Sequence, residues 1–286
     1  MSVSEFVDEY FQRRPLALSR KRPRLGRFDF LFREDEFVHN LDRVQSIRAV
    51  FVKNRQAQIK PTEIKDMMGA GATICVTGME GAHPRLGEAA KRIQAELAYS
   101  GRVSFRAYLS PPGKGFAVHF DARVATTLQI SGTKKWWYSE EPAIPFPAFN
   151  SGKEPSGFSA EYERPDLSGM RQVVLRPGDV LCLPAGVWHA AEAGPQGSLA
   201  LNMAFDHNFG SAFDAVMRLL QPRLLRQAAW REPLPLTANV QGRRLPAKVA
   251  SVLQQRLDTL CSEIRSIRDD DAALRRAWSE LMESER

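Results

Sequence analysis

A succession of short β-type runs between Arg102 and Phe205 constrains this chain more than any other feature. Arg102 to Leu109 alternates, with Val103, Phe105, Ala107 and Leu109 set against Arg102, Ser104, Arg106 and Tyr108, and Pro111-Pro112-Gly113 then turns the chain. Further runs follow at 115–121, 124–131, 134–138, 171–176, 179–183, 187–192 and 198–205. Period-2 alternation sets one face of each run against a core. Short strands with turn signals between them imply a sandwich or barrel.

Helical patterns flank this block. Val3, Phe6, Val7 and Tyr10 predict an amphipathic helix over 3–13, ended at Arg13-Arg14-Pro15 because the residue before proline is disfavoured in the α region. Glu34 to Val44 has helical spacing, Ile47 to Val52 and Ala72 to Thr77 read as strands, and Pro61 to Met68 and Pro84 to Tyr99 read as helices. From Ser211 the pattern is helical again. Phe213, Val216, Met217 and Leu220 form a stripe broken at Pro222, a seam runs from Val249 to Ile264, and a last helix covers roughly 271–283. The reading is mainly β with α additions: residues 1–209 as a β-domain with N-terminal helical elements, residues 210–286 as a helical region.

Composition narrows the class. With 286 residues, 43% hydrophobic and 26% charged, the chain has the balance of an ordinary globular protein. No apolar run approaches the roughly 20 residues that span a bilayer, and the N-terminus lacks the apolar core of a secretory signal, so no membrane partner is expected. Cys75, Cys182 and Cys261 form no CxxC pair and read as buried thiols in a reducing cytoplasm. The net charge of +7 is most concentrated at Arg20, Lys21, Arg22, Arg24 and Arg27. No aromatic residues interleave there, so direct nucleic-acid contact is not expected and a solvated connector is the simpler reading.

The chemistry centres on GFAVHFDARVATTLQISGTKKWW, residues 115–137. His119 and Asp121 are two apart in a strand and so project from one face. His189 follows in LCLPAGVWHAAEA, another strand-like phrase. Two histidines and one carboxylate on one side of a metal, with open positions opposite, is the arrangement of Fe(II) sites that also bind a co-substrate and O2. His39, His83 and His207 lack such context and read as surface or capping residues. Lys134-Lys135 follows the turn at Ser131-Gly132-Thr133, and alternation lets only one of the two lysines face inward. An inward lysine needs an anion, such as the far carboxylate of a keto acid; otherwise both are surface residues beside Trp136 and Trp137.

The phrases HFD, LQISGTKKWW, LRPGDVLCLPAGVWHAA and LALNMAF together resemble the JmjC/cupin-4 branch of the Fe(II)- and 2-oxoglutarate-dependent oxygenases, and FVDEYFQRRPL resembles the start of the bacterial ribosomal-oxygenase group. The resemblance implies a double-stranded β-helix (jelly-roll) core with His119, Asp121 and His189 as iron ligands. It implies Lys134 as the cation for the C5 carboxylate of 2-oxoglutarate, with Asn202 and Tyr108 on the co-substrate and Gln129 on the substrate side. Arg123, Trp137 and Trp188 are candidate pocket walls. Phe116 stands where some relatives have a threonine, and bacterial ribosomal oxygenases tend to carry arginine at the place of Lys134. The C-terminal helices are similar in kind to that group's dimerisation helices, which implies a homodimer.

The expected function is hydroxylation of a C–H bond on a protein or peptide residue, with Fe(II), 2-oxoglutarate and O2. Hydroxylation of a small molecule or natural product, and a non-catalytic metal-binding cupin module, are the alternatives. The stretch 139–170, with Phe146, Phe149, Phe158 and Tyr162, is expected as a loop over the substrate.

Overall fold

The computed structural model describes residues 2–19, 28–51, 55–99, 101–153, 162–206, 212–235 and 245–284. The basic stretch 20–27, Phe158 and His207 lie outside these residues. Among the described residues ten strands form one antiparallel system: β1 (Leu16–Leu18), β2 (Ser46–Val50), β3 (Gln56–Gln58), β4 (Thr73–Thr77), β5 (Arg102–Ser110), β6 (Gly115–His119), β7 (Val124–Pro142), β8 (Arg171–Leu175), β9 (Val180–Leu183) and β10 (Val187–Asp206). They run in the order β1-β9-β7-β10-β5-β4-β2-β3, with β6 on β10 and β8 on β7.

Four of the predicted short strands are halves of two long ones. The runs 124–131 and 134–138 join in β7, and 187–192 and 198–205 join in β10. Each bends where the sequence places a turn, at Gly132 (φ 62°) and Gly197 (φ 76°), and the β7–β10 register slips between Ala193 and Ser198. Beyond the bend, β10 pairs with β5; before it, β10 pairs with β6. A bulge therefore lets one strand serve two parts of the sheet. The two backbones pass so closely here that a Cβ on Gly132 would lie 2.1 Å from the Gly197 carbonyl oxygen.

The larger core sits on the β10-β5-β4-β2 part of the sheet, where Phe105, Leu201, Phe205 and Ile74 meet Phe32, Phe37 and Leu86. Leu86 belongs to helix α4 (Pro84–Glu96), which follows α1 (Val3–Glu9), α2 (Ile64–Gly69) and the single turn α3 (Met79–Ala82). A smaller core of Trp136, Tyr138, Leu175, Leu181, Leu183 and Val187 lies at the other part, beside the site described below.

Two helical expectations are shortened. Helix α1 opens with a Ser2–Glu5 capping box but ends at Glu9, with Gln12 in a left-handed conformation. The segment 34–44 is a 3-10 turn (Glu34–Glu36) followed by turns. Phe37 and Leu41 are buried at helical spacing, yet Asn40 is left-handed (φ 56°), which no α-helix continues through.

Residues 1–207 and 208–286 form separate compact units. The second contains α5 (Ala212–Arg226), α6 (Ala247–Arg268) and α7 (Asp271–Ser284), with Leu220, Leu224 and Ile267 as its core. Helix α5 runs through Pro222 rather than breaking there. Leu220 and Leu224 bracket the proline and both bury, so packing outweighs the lost hydrogen bond.

Alanine at Gly132 adds left-handed strain to a backbone clash, a cost of about 2 kcal/mol or more. The expected result for Gly132→Ala is a thermal midpoint lower by roughly 4–8 °C. An unchanged midpoint contradicts the close crossing of β7 and β10.

Candidate metal centre and its cavity

His119, the last residue of β6, lies directly opposite His189 of β10. The two rings are 4.3 Å apart between centroids. Asp121 follows just beyond the strand end, and one potential ligand atom from each of the three residues lies within 4.8 Å of the others. The chain around Asp121 is clamped. Phe120 N donates to Ser151 Oγ at 3.0 Å, Ala122 N donates to Asn150 Oδ1 at 2.8 Å, and the Asp121 carbonyl accepts from Gly186 N at 2.9 Å. The Pro- and Phe-rich stretch after β7 thus holds the carboxylate in place through Asn150 and Ser151.

Backbone carbonyls fix both imidazoles. His119 Nδ1 is 2.8 Å from the Ala117 oxygen, and His189 Nδ1 is 2.9 Å from the Val187 oxygen. A carbonyl only accepts, so each Nδ1 carries a proton and Nε2 is the nitrogen of each ring that can ligate a metal. Burial pushes His189 down to about 4, reinforced by His119 and opposed by Asp121 and the Val187 carbonyl. Burial alone would raise Asp121, but the Arg123 guanidinium 3.8 Å away and the two imidazoles hold it at about 2. Two imidazole nitrogens and an ionised carboxylate make a donor set that Fe(II) accepts while keeping open positions.

A cavity of about 330 Å³ opens on this triad. Lys134 lines it and is only 1% exposed. Its Nζ donates to Ser110 Oγ at 3.1 Å, and that hydroxyl accepts from Thr73 Oγ1 at 3.1 Å. The rings of Tyr108, Phe116 and Trp136 stand 5.4–5.9 Å from the ammonium. Among the described residues no carboxylate pairs with it, and burial lowers the amine to about 8, with Cys75 acting the other way. Lys135 points to the other face and lies over the Trp137 ring at 4.5 Å. Alternation along β7 thus turns Lys134, and not Lys135, into the cavity.

Tyr108, Asn202 and Arg123 also line the cavity, with Asn202 Nδ2 donating to Thr127 Oγ1 at 3.2 Å. Burial pushes the Tyr108 phenol up to about 12, keeping it a neutral donor. Gln129, Trp137 and Trp188 are not part of the lining. Gln129 adjoins a bulge between Leu199 and Ala200, and its Nε2 is taken up by Ser131 O at 2.8 Å and Ser198 Oγ at 2.9 Å. Trp188 and Trp137 pack with Phe120, Met170 and Tyr162 in a separate apolar cluster. Of the loop aromatics, Tyr162 joins that cluster, its hydroxyl accepting from Gly152 N at 2.7 Å, whereas Phe146 is exposed. His83 is buried against Phe32, away from the site, and Cys261 is exposed rather than buried.

Several lining residues go unannounced in the sequence reading. Ser110, which is not itself in the lining but holds the Lys134 ammonium, was legible in principle, being two residues after Tyr108 on the same strand face. Asn150 and Ser151 act from a segment with no periodicity, and Arg48 and Gln56 come from β2 and β3, far from the triad in sequence.

Equilibrium dialysis with Co(II) is expected to give one ion per chain, and His119→Ala or Asp121→Ala to weaken that binding by roughly 100-fold or more. Undiminished binding in either variant removes that residue from the centre. Without metal, the unfolded chain protonates its histidine below about 6.5, whereas folded His189 stays neutral to about 4. Stability therefore falls as pH drops through that window. Asp121 adds a further loss only below its ordinary value, towards about 2. His189→Gln is expected to flatten the slope of urea midpoint against pH between 6.5 and 4, and an unaltered slope contradicts the burial argument.

Comparison with known proteins agrees with this geometry. Residues 83–210 match the JmjC domain family. The bifunctional lysine-specific demethylase and histidyl-hydroxylase NO66 of Aedes aegypti is 28% identical over 241 residues, covering 79% of this chain and 36% of that protein. Human ribosomal oxygenase 1 is 31% identical over 134 residues, covering 45% of this chain and 20% of its own. The chain thus spans about a third or less of the length of these relatives. The structure of YcfD, a ribosomal oxygenase from Escherichia coli, in complex with cobalt and 2-oxoglutarate superposes with a TM-score of 0.64 at 18% identity, covering 99% of this chain and 71% of that one. The shared fold is the cupin-type roll, and the segment of the chain that carries His119, Asp121 and His189 matches the JmjC domain family over residues 83–210.

Proposed function

We propose that this protein is an Fe(II)- and 2-oxoglutarate-dependent dioxygenase that hydroxylates a C–H bond of a protein or peptide residue. The carrying observation is the pairing, in one cavity, of a two-histidine, one-carboxylate triad with a buried ammonium that meets no carboxylate among the described residues. An uncompensated buried charge is costly, and a bound carboxylate relieves it. That these relatives are named as hydroxylases, demethylases or ribosomal oxygenases supports a protein substrate.

His119, Asp121 and His189 would hold the iron, which with 2-oxoglutarate and O2 supplies the oxidant for a C–H bond and releases succinate and CO2. The protein's own part is positional. Lys134 holds the far end of the co-substrate with a charge-assisted hydrogen bond inside a ring-lined, water-poor recess, where such a bond is stronger than in water. Phe116 offers no hydrogen bond, so Ser110, Tyr108 and Asn202 supply the neutral ones. Arg123 keeps the Asp121 carboxylate ionised and oriented, and Asn150 and Ser151 keep its backbone in place. The C-terminal helices we assign to a homodimer contact. Val216, Ile264 and Leu274 are exposed around an apolar groove there, and burying them against a second copy removes apolar surface from water. Light scattering is expected to give twice the chain mass, and a monomer at micromolar concentration contradicts this.

Co(II)-loaded protein is expected to bind 2-oxoglutarate in calorimetry, and Fe(II)-loaded protein to convert it to succinate; no binding contradicts the reading. Lys134→Ala is expected to raise the dissociation constant about 30-fold or more, since removing one partner of a buried charge pair costs roughly 2–5 kcal/mol. An equal effect from Lys135→Ala contradicts the assignment. Because the free amine is held at about 8, it loses charge above that pH. Affinity is expected to weaken from pH 8 to 9.5 and Lys134→Arg, which stays charged, to abolish that trend.

A further inference from the structure

Cys75 is the one cysteine among the described residues that lines the cavity, and the proposed chemistry gives it no part. It sits in the middle of β4, and strand register fixes which way it faces. It lies opposite Arg48 on β2 and Tyr108 on β5, and directly opposed residues share a sheet face, so its sulfur joins Tyr108 on the cavity side. Thr73, two residues earlier on the same face, donates through Oγ1 to Ser110 Oγ, the hydroxyl that also accepts from Lys134 Nζ. The thiol therefore stands on the wall that receives the far carboxylate of the co-substrate on the oxygenase reading, on which this inference rests.

Two cations lie near this sulfur. Arg48 Nη2 donates to Sγ at 3.6 Å, its Nη1 donates to Gln56 Oε1 at 2.9 Å, and its Nε is buried with no acceptor. Neither a thiol nor an amide offsets a guanidinium, and among the described residues no carboxylate pairs with Arg48 or with Lys134. The Lys134 ammonium, 1% exposed, lines the same cavity, and Cys75 acts on it against the pull of burial. Two residues beyond Lys134 on the same face, Trp136 is 8% exposed and its Nε1–H also meets no acceptor. This wall is thus rich in donors and short of acceptors, and an oxygen placed on the sulfur supplies one. Cysteines held among cations and reachable through an opening are the reactive kind, whereas thiols enclosed by apolar groups are inert. The other two cysteines supply the contrast. Cys182 is absent from the cavity lining and burial pushes its thiol up to about 11; Cys261 is exposed on α6.

We propose that Cys75 is an oxidation site inside the co-substrate cavity: hydrogen peroxide converts its thiol to a sulfenic acid, and the added oxygen, held by Arg48 and Lys134, shuts out 2-oxoglutarate. Peroxide is small enough to enter where the co-substrate enters. The sulfur attacks one peroxide oxygen, an S–O bond forms and the O–O bond breaks. The departing hydroxide takes up the thiol's proton and leaves as water, so sulfur loses the two electrons that peroxide gains. A second thiol reverses the step, displacing water to form a disulfide that exchange then opens. Bound 2-oxoglutarate covers the sulfur, so a loaded site resists oxidation and an empty one is switched off.

The test uses the full chain loaded with Zn(II), which has no redox chemistry of its own, and treated with hydrogen peroxide with or without 2-oxoglutarate. Mass spectrometry of the peptide that carries Cys75 is expected to show a gain of oxygen, slowed roughly 10-fold or more by 2-oxoglutarate held well above its dissociation constant. After peroxide is removed, that dissociation constant is expected to rise about 10-fold or more, the scale on which an extra heavy atom strains a packed recess, and dithiothreitol to bring it back. Cys75→Ser and Cys75→Ala are expected to keep, after peroxide, whatever affinity each had before it. Three results overturn the proposal in the wild-type protein alone: no oxygen on Cys75 under conditions that oxidise the exposed Cys261, oxidation that leaves affinity unchanged, or oxidation that 2-oxoglutarate does not slow. An equal loss of affinity in Cys75→Ser overturns it as well, by moving the damage to another residue. Failure of the untreated protein to bind 2-oxoglutarate is a separate result and overturns the oxygenase reading itself.

Discussion

Everything at the metal centre depends on one cross-strand pairing, the opposition of His119 and His189 on β6 and β10. In an antiparallel pair a shift of one residue sends a side chain to the other face, so the pairing decides whether two imidazoles meet or part. The pairing is held from several sides. Beyond the Gly197 bend, β10 is anchored to β5 from Ser198 to Asp206, and β6 ends where the Asn150–Ser151 clamp takes over. The Ala117 and Val187 carbonyls then settle which nitrogen of each ring is bare.

The electrostatics of the cavity follow from burial rather than from surface charge. One end holds an ionised aspartate beside an arginine; the other holds an ammonium among three aromatic rings, hydrogen-bonded to a serine hydroxyl. Burying a lysine in this way lowers the stability of the fold, and a site that binds a dianion recovers that loss on loading. Local violations of good packing and polar satisfaction are where function concentrates in a folded chain.

How much of this was legible in the sequence varied with how local the signal was. The strands of the roll were readable because alternation is a property of adjacent residues, and the HxD pair was readable because i and i+2 share a face. The inward lysine could not be chosen from pattern alone, since Lys134 and Lys135 differ only by register against β8 and β10. Gln129 and the two tryptophans were misplaced for related reasons: a bulge redirects Gln129, and an aromatic residue beside a site reads the same whether it walls the cavity or fills the core behind it. Asn150, Ser151 and Arg48 came from segments whose roles exist only after folding. Helix ends were hidden by left-handed residues at Gln12 and Asn40, where neither glycine nor proline marks the stop.

The central claim is that three side chains from two strands and the turn beyond one of them hold a single metal ion. Anomalous diffraction from a crystal grown with Co(II) tests it most directly. The expected result is one strong peak about 2.0–2.2 Å from Nε2 of both His119 and His189 and from a carboxylate oxygen of Asp121. A peak bound through Nδ1, a peak at other residues, or no peak in a crystal of the folded protein contradicts the account.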